Sequence, residues 1–392
     1  MIQHNLAFRF REDAPAEAVE SLLAELRTFP QRYPGMREFT LGANISTRST
    51  RYTHGFSVKF DSEADLKAYL ESESHERFVR ERWRPIMDDH IIVTYEIPGG
   101  PGRPRGPYGM EYARIEVPDM DRTIEFLQYH VGLQLEQRTD EYAYLRADIE
   151  HHSIELISAP QREAGHTVAV GYSVENDEVL ADLRKRVADA GHEILELQDR
   201  QKDLCSDGFA VRDPNGLVIE LFTGFLEYAE PPVHDLRPVD LVHPFIATPK
   251  YEESLQFYTE VLGFLSSDEI VGSTTFLRCE DRYHHSLALQ NNKEFYVAHL
   301  CFATKSFDHV MRFRARALYK GEPIASDLVN HSASTSIAFY MHEPLHGPRY
   351  ELCDRHRVFT PEEHETHVPR RMPPDPRNID VWRPAADDWG RF

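Results

Sequence analysis

TIEFLQYHVG at Thr123–Gly132 and SLQFYTEVLG at Ser254–Gly263 decide the fold, because they are the same element met twice. Each reads as a helix stopped by glycine. The flanks repeat as well. A strand precedes each helix (Tyr112–Val117; Val242–Ala247) and a His-His-Ser strand follows it (His151–Ser153; His284–Ser286). A further strand (Val168–Val174; Val297–Ala303), a second helix (Val179–Ala190; Phe307–Tyr319) and Phe/Tyr-rich strands closing on Glu220 or Glu351 complete the plan. Met110–Phe222 and Leu241–Leu352 are thus two copies of one α+β design, each made of paired β-α-β-β(-β) units. Paired units of this kind curve their sheets around an interior cavity.

The differences between the copies point to the chemistry. Aligned on Gly132 and Gly263, His243 falls opposite Tyr112 and His299 opposite Val170, while Glu351 keeps its counterpart Glu220. The second copy alone therefore carries two histidines and a carboxylate on three separate strands. Two imidazoles and one carboxylate on one face, with positions left open, form the facial triad of non-haem Fe(II) sites. The expected metal ligands are His243, His299 and Glu351.

Outside the repeat, PGGPGRPRGP at Pro98–Pro107 cannot form a helix or a central strand and reads as a linker. It follows a segment of about 97 residues, a size that folds alone. That segment reads β-α-β-β-α-α-β. Strands are expected at His4–Phe10, Tyr52–Phe60 and Ile91–Ile97, with helices at Ala14–Arg27, Asp65–Leu70 (capped from Ser62) and His75–Met87. The expected organisation is residues 1–97, a linker at 98–107, a metal-free domain at 108–228, a metal-binding domain at 237–357 and an extension at 358–392.

Composition limits the classes of function. The 392 residues carry a formal charge of −21, which disfavours nucleic acid and anionic membrane surfaces as partners. A 41% hydrophobic content argues against wholesale disorder. No apolar run is long enough to span a bilayer, and MIQHNLAFRFRED at the start lacks the apolar core of a signal peptide. Four scattered cysteines without a CxxC pair fit a reduced, cytoplasmic protein with neither a disulfide framework nor a thiolate zinc site.

Residues 110–355 resemble the type I extradiol catechol dioxygenases of the vicinal oxygen chelate superfamily. The resemblance is carried by DLVHPF (Asp240–Phe245), FLRCEDRYHHSLAL (Phe276–Leu289), VAHLCF (Val297–Phe302), Asn330-His331, Phe339-Tyr340 and RYEL (Arg349–Leu352). One extra residue between Tyr340 and Glu351 falls in the turn EPLHGP (Glu343–Pro348). The resemblance implies two vicinal-oxygen-chelate domains and an oxidoreductase that inserts both atoms of O₂ into a catechol, as in the catabolism of aromatic hydrocarbons. It implies Fe(II), with Mn(II) as a substitute, on His243, His299 and Glu351. It makes His285 the acid/base residue and gives His331 and Tyr340 contact with substrate, with His284 structural. No arginine stands beside His331 in sequence, which favours a neutral or bulky catechol. The stretch Asp380–Gly390 resembles an extension that covers the active-site mouth.

The first segment resembles the stress-responsive dimeric α/β-barrel family through His4, YTHGF (Tyr52–Phe56) and AYLESESHERF (Ala68–Phe78). That resemblance implies a ferredoxin-like half-barrel and a homodimer or higher homo-oligomer. Positions matching Tyr69 and His75 serve catalysis in some family members; here they are expected to fill the barrel and start a helix. Three other functions stay open for the metal half: cleavage of hydroquinone-type para-diols, a non-redox isomerase or lyase, and a bleomycin-sequestering type of binder.

Overall fold

A computed structural model describes residues 2–33, 35–60, 62–96 and 103–382. Most of the Pro/Gly linker, at 98–102, and the end of the expected covering extension, at 383–390, lie outside the described residues. The chain divides into two compact units, Met1–Arg103 and Pro104–Phe392.

The first unit is a four-stranded sheet in the order β2-β3-β1-β4, from β1 (Ile2–Phe10), β2 (Met36–Ala43), β3 (His54–Phe60) and β4 (Met87–Glu96). Helices Ala16–Arg27, Glu63–Leu70 and Glu73–Phe78 stand where the expected order has them, a short helix Phe29–Arg32 is added before β2, and Phe8, Leu22, Phe29, Phe60, Tyr69 and Trp83 fill the core. The helix expected to run to Met87 stops early. It ends in a wide π turn at Val79–Trp83, and Met87 already pairs with Phe10. Arg84 still has helical backbone, and Pro85 explains the stop because it has no N–H to continue the helical hydrogen bonding. His75 does not itself begin a helix: Ser72 caps it, accepting from the His75 N–H at 3.2 Å.

In the second unit both copies of the repeat appear. The first contains β5 (Gly109–Val117), β6 (Gln134–Arg138), β7 (Tyr142–Arg146), β8 (Ile154–Ser158), β9 (His166–Ser173), β10 (Asp207–Arg212) and β11 (Val218–Thr223). The second contains β12 (Pro238–Thr248), β13 (Leu265–Ile270), β14 (Thr274–Arg278), β15 (Leu287–Asn291), β16 (Tyr296–Thr304), β17 (Ile324–Asn330), β18 (Ile337–Met341) and β19 (Arg349–Asp354), with β20 (Arg370–Met372) added at its edge. Among the described residues the sheet orders are β10-β11-β9-β5-β8-β7-β6 and β17-β18-β19-β16-β12-β15-β14-β13-β20. One continuous apolar core joins the two copies.

Both signature helices finish in a π turn, Leu127–Val131 and Phe257–Val261. Gly132 and Gly263 follow at φ +79° and +81°, the left-handed conformation that favours glycine. The His-His-Ser triplets are not strands: pairing begins one residue later, at Ile154 and Leu287. Each triplet lies in the turn entering its strand, where an imidazole can leave the alternation of the sheet. The hairpins β6–β7 and β13–β14 supply the further strands of the expected β-α-β-β(-β) units, but their positions were not read, because their mixed polar and apolar residues give a weak alternating signal. The first copy also lacks one strand of its last unit and keeps only a bridge between Leu195 and Ala210.

Strand register corrects one alignment. Cys301 pairs with Glu351 and His299 with Arg349, just as Gly171 pairs with Glu220 and Ala169 with Val218. The counterpart of His299 is therefore Ala169, not Val170. A slip of one residue matters here because it moves a side chain to the other face of the sheet.

Candidate metal centre

The central strands β12 and β16 run antiparallel, and β19 lies parallel to β16. His243 pairs with Cys301, which pairs with Glu351, and Tyr340 on β18 pairs with Glu351 from the other side. Paired residues share a face, so four strands present His243, His299, Glu351 and Tyr340 to one concave surface. His299 Nε2 lies 3.1 Å from Glu351 Oε2 and 3.3 Å from His243 Nε2, and His243 Nε2 lies 3.6 Å from Glu351 Oε2. All three side chains are buried.

Charge states suit a divalent cation. Burial pushes the imidazoles of His243 and His299 below their ordinary value. Burial works against ionisation of Glu351, but hydrogen bonding with His299 and His331 holds its carboxyl well below the usual range. Two nitrogen lone pairs and a carboxylate oxygen thus converge, the donor set that borderline metal ions take.

The other expected residues surround the same point. His285 packs on His243 with ring centroids 4.1 Å apart. His331 Nε2 stands 2.7 Å from the Tyr340 hydroxyl and 3.5 Å from Glu351 Oε1, and its Nδ1 is 3.0 Å from the Ile379 carbonyl. Burial raises the Tyr340 hydroxyl well above its ordinary value, so it stays a proton donor. A cavity of about 250 Å³ opens on these groups, walled by Phe245, Ile270, Phe276 and Val329 on its apolar side. Asn378 and Ile379, just ahead of the expected covering stretch that begins at Asp380, also line it.

Two residues escaped the sequence reading. Arg349 lines the cavity from the position paired with His299. His356 is buried with neither ring nitrogen hydrogen bonded, 4.6 Å from His285 and 5.5 Å from His243 between centroids. It could join His243 and His285, or Cys301 and Cys353, as a metal-binding cluster. The cluster with Glu351 alone supplies a charged carboxylate on the cavity wall. A histidine in the turn after β19 carries no periodic signal; only the fold shows where it goes.

In the first copy the same place is filled. Arg114, two residues beyond Tyr112 on β5, makes a bidentate pair with Glu220 at 3.0 and 3.0 Å and donates from Nε to Glu155 at 2.6 Å. The Tyr112 hydroxyl donates to Glu220 as well. Gly171 makes room for the Tyr112 ring, since a Cβ there would lie 2.4 Å from it. Among the described residues, no metal-capable cluster of three falls within 108–228.

In the first unit, Tyr69 and His75 are neighbours, with centroids 4.4 Å apart. They line a separate cavity of about 250 Å³ together with His4, Trp83 and His90.

Comparison with known proteins agrees with this architecture. The chain is 29% identical over 262 residues to an iron-dependent extradiol dioxygenase of Rhodococcus jostii, covering 60% of this chain and 85% of that protein. The Mn(II)-bound glyoxalase of Novosphingobium aromaticivorans superposes with a TM-score of 0.63 at 22% identity, over 72% of this chain and 92% of that one. The 2,2',3-trihydroxybiphenyl 1,2-dioxygenase of Sphingomonas wittichii superposes with a TM-score of 0.60 at 22% identity, over 70% and 98%. These likenesses show the fold. Residues 2–97 match the Stress responsive A/B Barrel Domain, and residues 109–221 and 240–339 match the Glyoxalase/Bleomycin resistance protein/Dioxygenase superfamily. The chain belongs to that superfamily and carries a stress-responsive A/B barrel domain ahead of it.

Proposed function

We propose that the chain is an Fe(II)-dependent extradiol dioxygenase that cleaves the ring of a catechol-type diol and inserts both atoms of O₂, with residues 237–357 as the catalytic domain. The observation that carries this reading is the convergence of His243 Nε2, His299 Nε2 and Glu351 Oε2 within 3.1–3.6 Å on the wall of a cavity that also holds His285, His331 and Tyr340. His243, His299 and Glu351 would hold the metal, which supplies chelation of the diol and a neighbouring site for O₂. Mn(II) fits the same donors.

The remaining residues handle protons and charge. Burial keeps His285 neutral, ready to accept a proton from a diol hydroxyl and return it later. Tyr340 and His331, already hydrogen bonded to each other, offer donors to negative charge developing on the substrate oxygens. Phe245, Phe276 and Ile270 give an aromatic ring an apolar wall. These groups favour a catechol over a para-diol, which would leave one hydroxyl away from the metal. A non-redox isomerase or lyase that draws ligands from both copies is disfavoured by Ala169 and Arg114 in the first. The A/B barrel unit is proposed to assemble the chain into a homodimer or larger homo-oligomer. The enzyme is proposed to work in the cytoplasm.

The test is anaerobic reconstitution with Fe(II), followed by air and a panel of catechols and hydroquinones. One O₂ should be consumed per catechol, with a yellow ring-opened product. No O₂ uptake with any catechol would end the proposal, and preferential consumption of hydroquinones would replace it with the para-diol reading.

A further inference from the structure

We propose that Asp268 and His284 are positioning residues: one hydrogen-bond chain through them fixes the tautomer of His285 that leaves Nε2 free to take a substrate proton. This rests on the function proposed above and names the device that makes His285 a base rather than a donor.

The chain can be followed atom by atom. Asp268, on β13, is fully buried, and its Oδ2 lies 2.9 Å from His284 Nε2. An ionised carboxylate only accepts, so the His284 proton sits on Nε2. A neutral imidazole has one N–H, so His284 Nδ1 is an acceptor. It faces His285 Nδ1 at 3.1 Å, and that nitrogen must then donate. The lone pair of His285 is left on Nε2, while the ring lines the cavity. Asp268 stays ionised although burial opposes it: hydrogen bonds from His284 and Arg370 hold its carboxyl well below the ordinary value. Arg370, on β20, reaches Asp268 through its side chain and through its backbone N–H at 2.9 Å.

The duplicate half supplies an independent observation. There His151 and His152 make the same Nδ1-to-Nδ1 contact at 3.0 Å, so the histidine pair belongs to the fold. The carboxylate does not. Asp268 stands opposite Phe276 as Gln137 stands opposite Tyr144, and the Gln137 amide donates to the Tyr142 hydroxyl at 3.1 Å. Among the described residues, His151 has no hydrogen bond to a carboxylate. The chain is completed only in the half that has work for a base.

Asp268→Asn tests the idea. The Arg370 donors retain the carboxamide oxygen, which turns the amide N–H toward His284 Nε2. Both imidazoles then reverse, and His285 carries its proton on Nε2. Two-bond proton–nitrogen correlation spectra of the full chain, labelled with ¹⁵N-histidine and loaded with diamagnetic Zn(II), read this directly. Wild type should show His285 protonated on Nδ1 and Asp268→Asn on Nε2. With Fe(II), the variant should keep its metal content and KM while kcat falls ~10²–10⁴-fold, the range for a lost general base. Arg371→Met breaks the neighbouring ion pair between β20 and β13, from Arg371 to Glu269, without touching Asp268. Its kcat should stay within about threefold of wild type with the tautomer unchanged. The proposal is overturned if Asp268→Asn leaves His285 protonated on Nδ1, or if Arg371→Met loses as much kcat as Asp268→Asn. The tautomer readout decides the matter whether or not the wild type cleaves catechols.

Discussion

The two copies of the repeat solve one electrostatic problem in two ways. Each places a buried glutamate on its last strand, Glu220 on β11 and Glu351 on β19. A buried carboxylate needs a compensating cation. In the first copy the cation is covalent: Arg114 clamps Glu220 and Glu155, and the Tyr112 ring occupies the space over Gly171. In the second copy Phe245 stands at the position of Arg114, histidines replace Tyr112 and Ala169, and the proposed compensation is by imidazoles and an exchangeable ion. On the proposed function, a duplicated cavity becomes a scaffold where its charge is closed internally and a reaction site where it is left open.

Removing a ligand should make the contrast largest. His243→Ala, His299→Ala and Glu351→Ala should each bring activity to background and lose iron, read by elemental analysis, in a chain that stays folded. Too few donors then remain to hold a labile divalent ion. Full iron and turnover in Glu351→Ala would return the second copy to the same structural role as the first. Next in size is His285→Phe. It should retain iron and substrate binding and slow turnover ~10²–10⁴-fold in single-turnover kinetics. The matching change in the first copy, His152→Phe, should leave the chemistry alone. Equal losses from the two would make the histidine pair a packing feature in both copies.

Arg114→Met should have the converse profile. It leaves Glu220 and Glu155 buried without their guanidinium, a type of break that costs about 3–5 kcal/mol. The melting temperature should fall while iron stoichiometry stays at the wild-type level. Loss of iron without loss of stability would mean that the first copy shapes the metal centre.

Comparing the copies also shows what a sequence can disclose. The three proposed ligand positions stood out because duplication supplies a reference: Tyr112 opposite His243 and Glu220 opposite Glu351 stand at fixed offsets from the helix-ending glycines. The counterpart of His299 was misjudged by one residue, since the register between β5 and β9 shifts at irregular points that spacing does not reveal. Arg114 as a substitute cation was readable in principle, because residues two apart on a strand share a face. Asp268 and His356 were not. Each reaches the centre from a strand or turn distant in sequence, and neither belongs to a local motif. The positioning role proposed for His284 was hidden for the same reason: its carboxylate partner is Asp268, on another strand.

The smallest expected effect comes from removing the A/B barrel unit. A chain beginning at Pro104 keeps the strands and helices of both copies, their common core, and every residue proposed to hold metal or move a proton. A cut further on would be less clean, since the Arg105 side chain pairs with Glu175 at 2.8 Å and its carbonyl accepts from Arg186. The truncated protein should therefore bind iron at wild-type stoichiometry, with kcat within about threefold. Its oligomer should be smaller by light scattering. On the barrel's outer strand β4, Ile91, Ile92, Val93 and Tyr95 are each about half exposed, and a unit of this size gains by covering such a strand with a second copy. Tyr69 and His75 offer a sharper reading of the same unit, because they share a cavity. Tyr69→Phe and His75→Ala should leave both O₂ consumption and the ring-opened product unchanged if the barrel only assembles the chain. An altered product with unaltered O₂ uptake would make that cavity a second reaction site, and failure of the truncated chain to bind iron would make the barrel part of the metal scaffold.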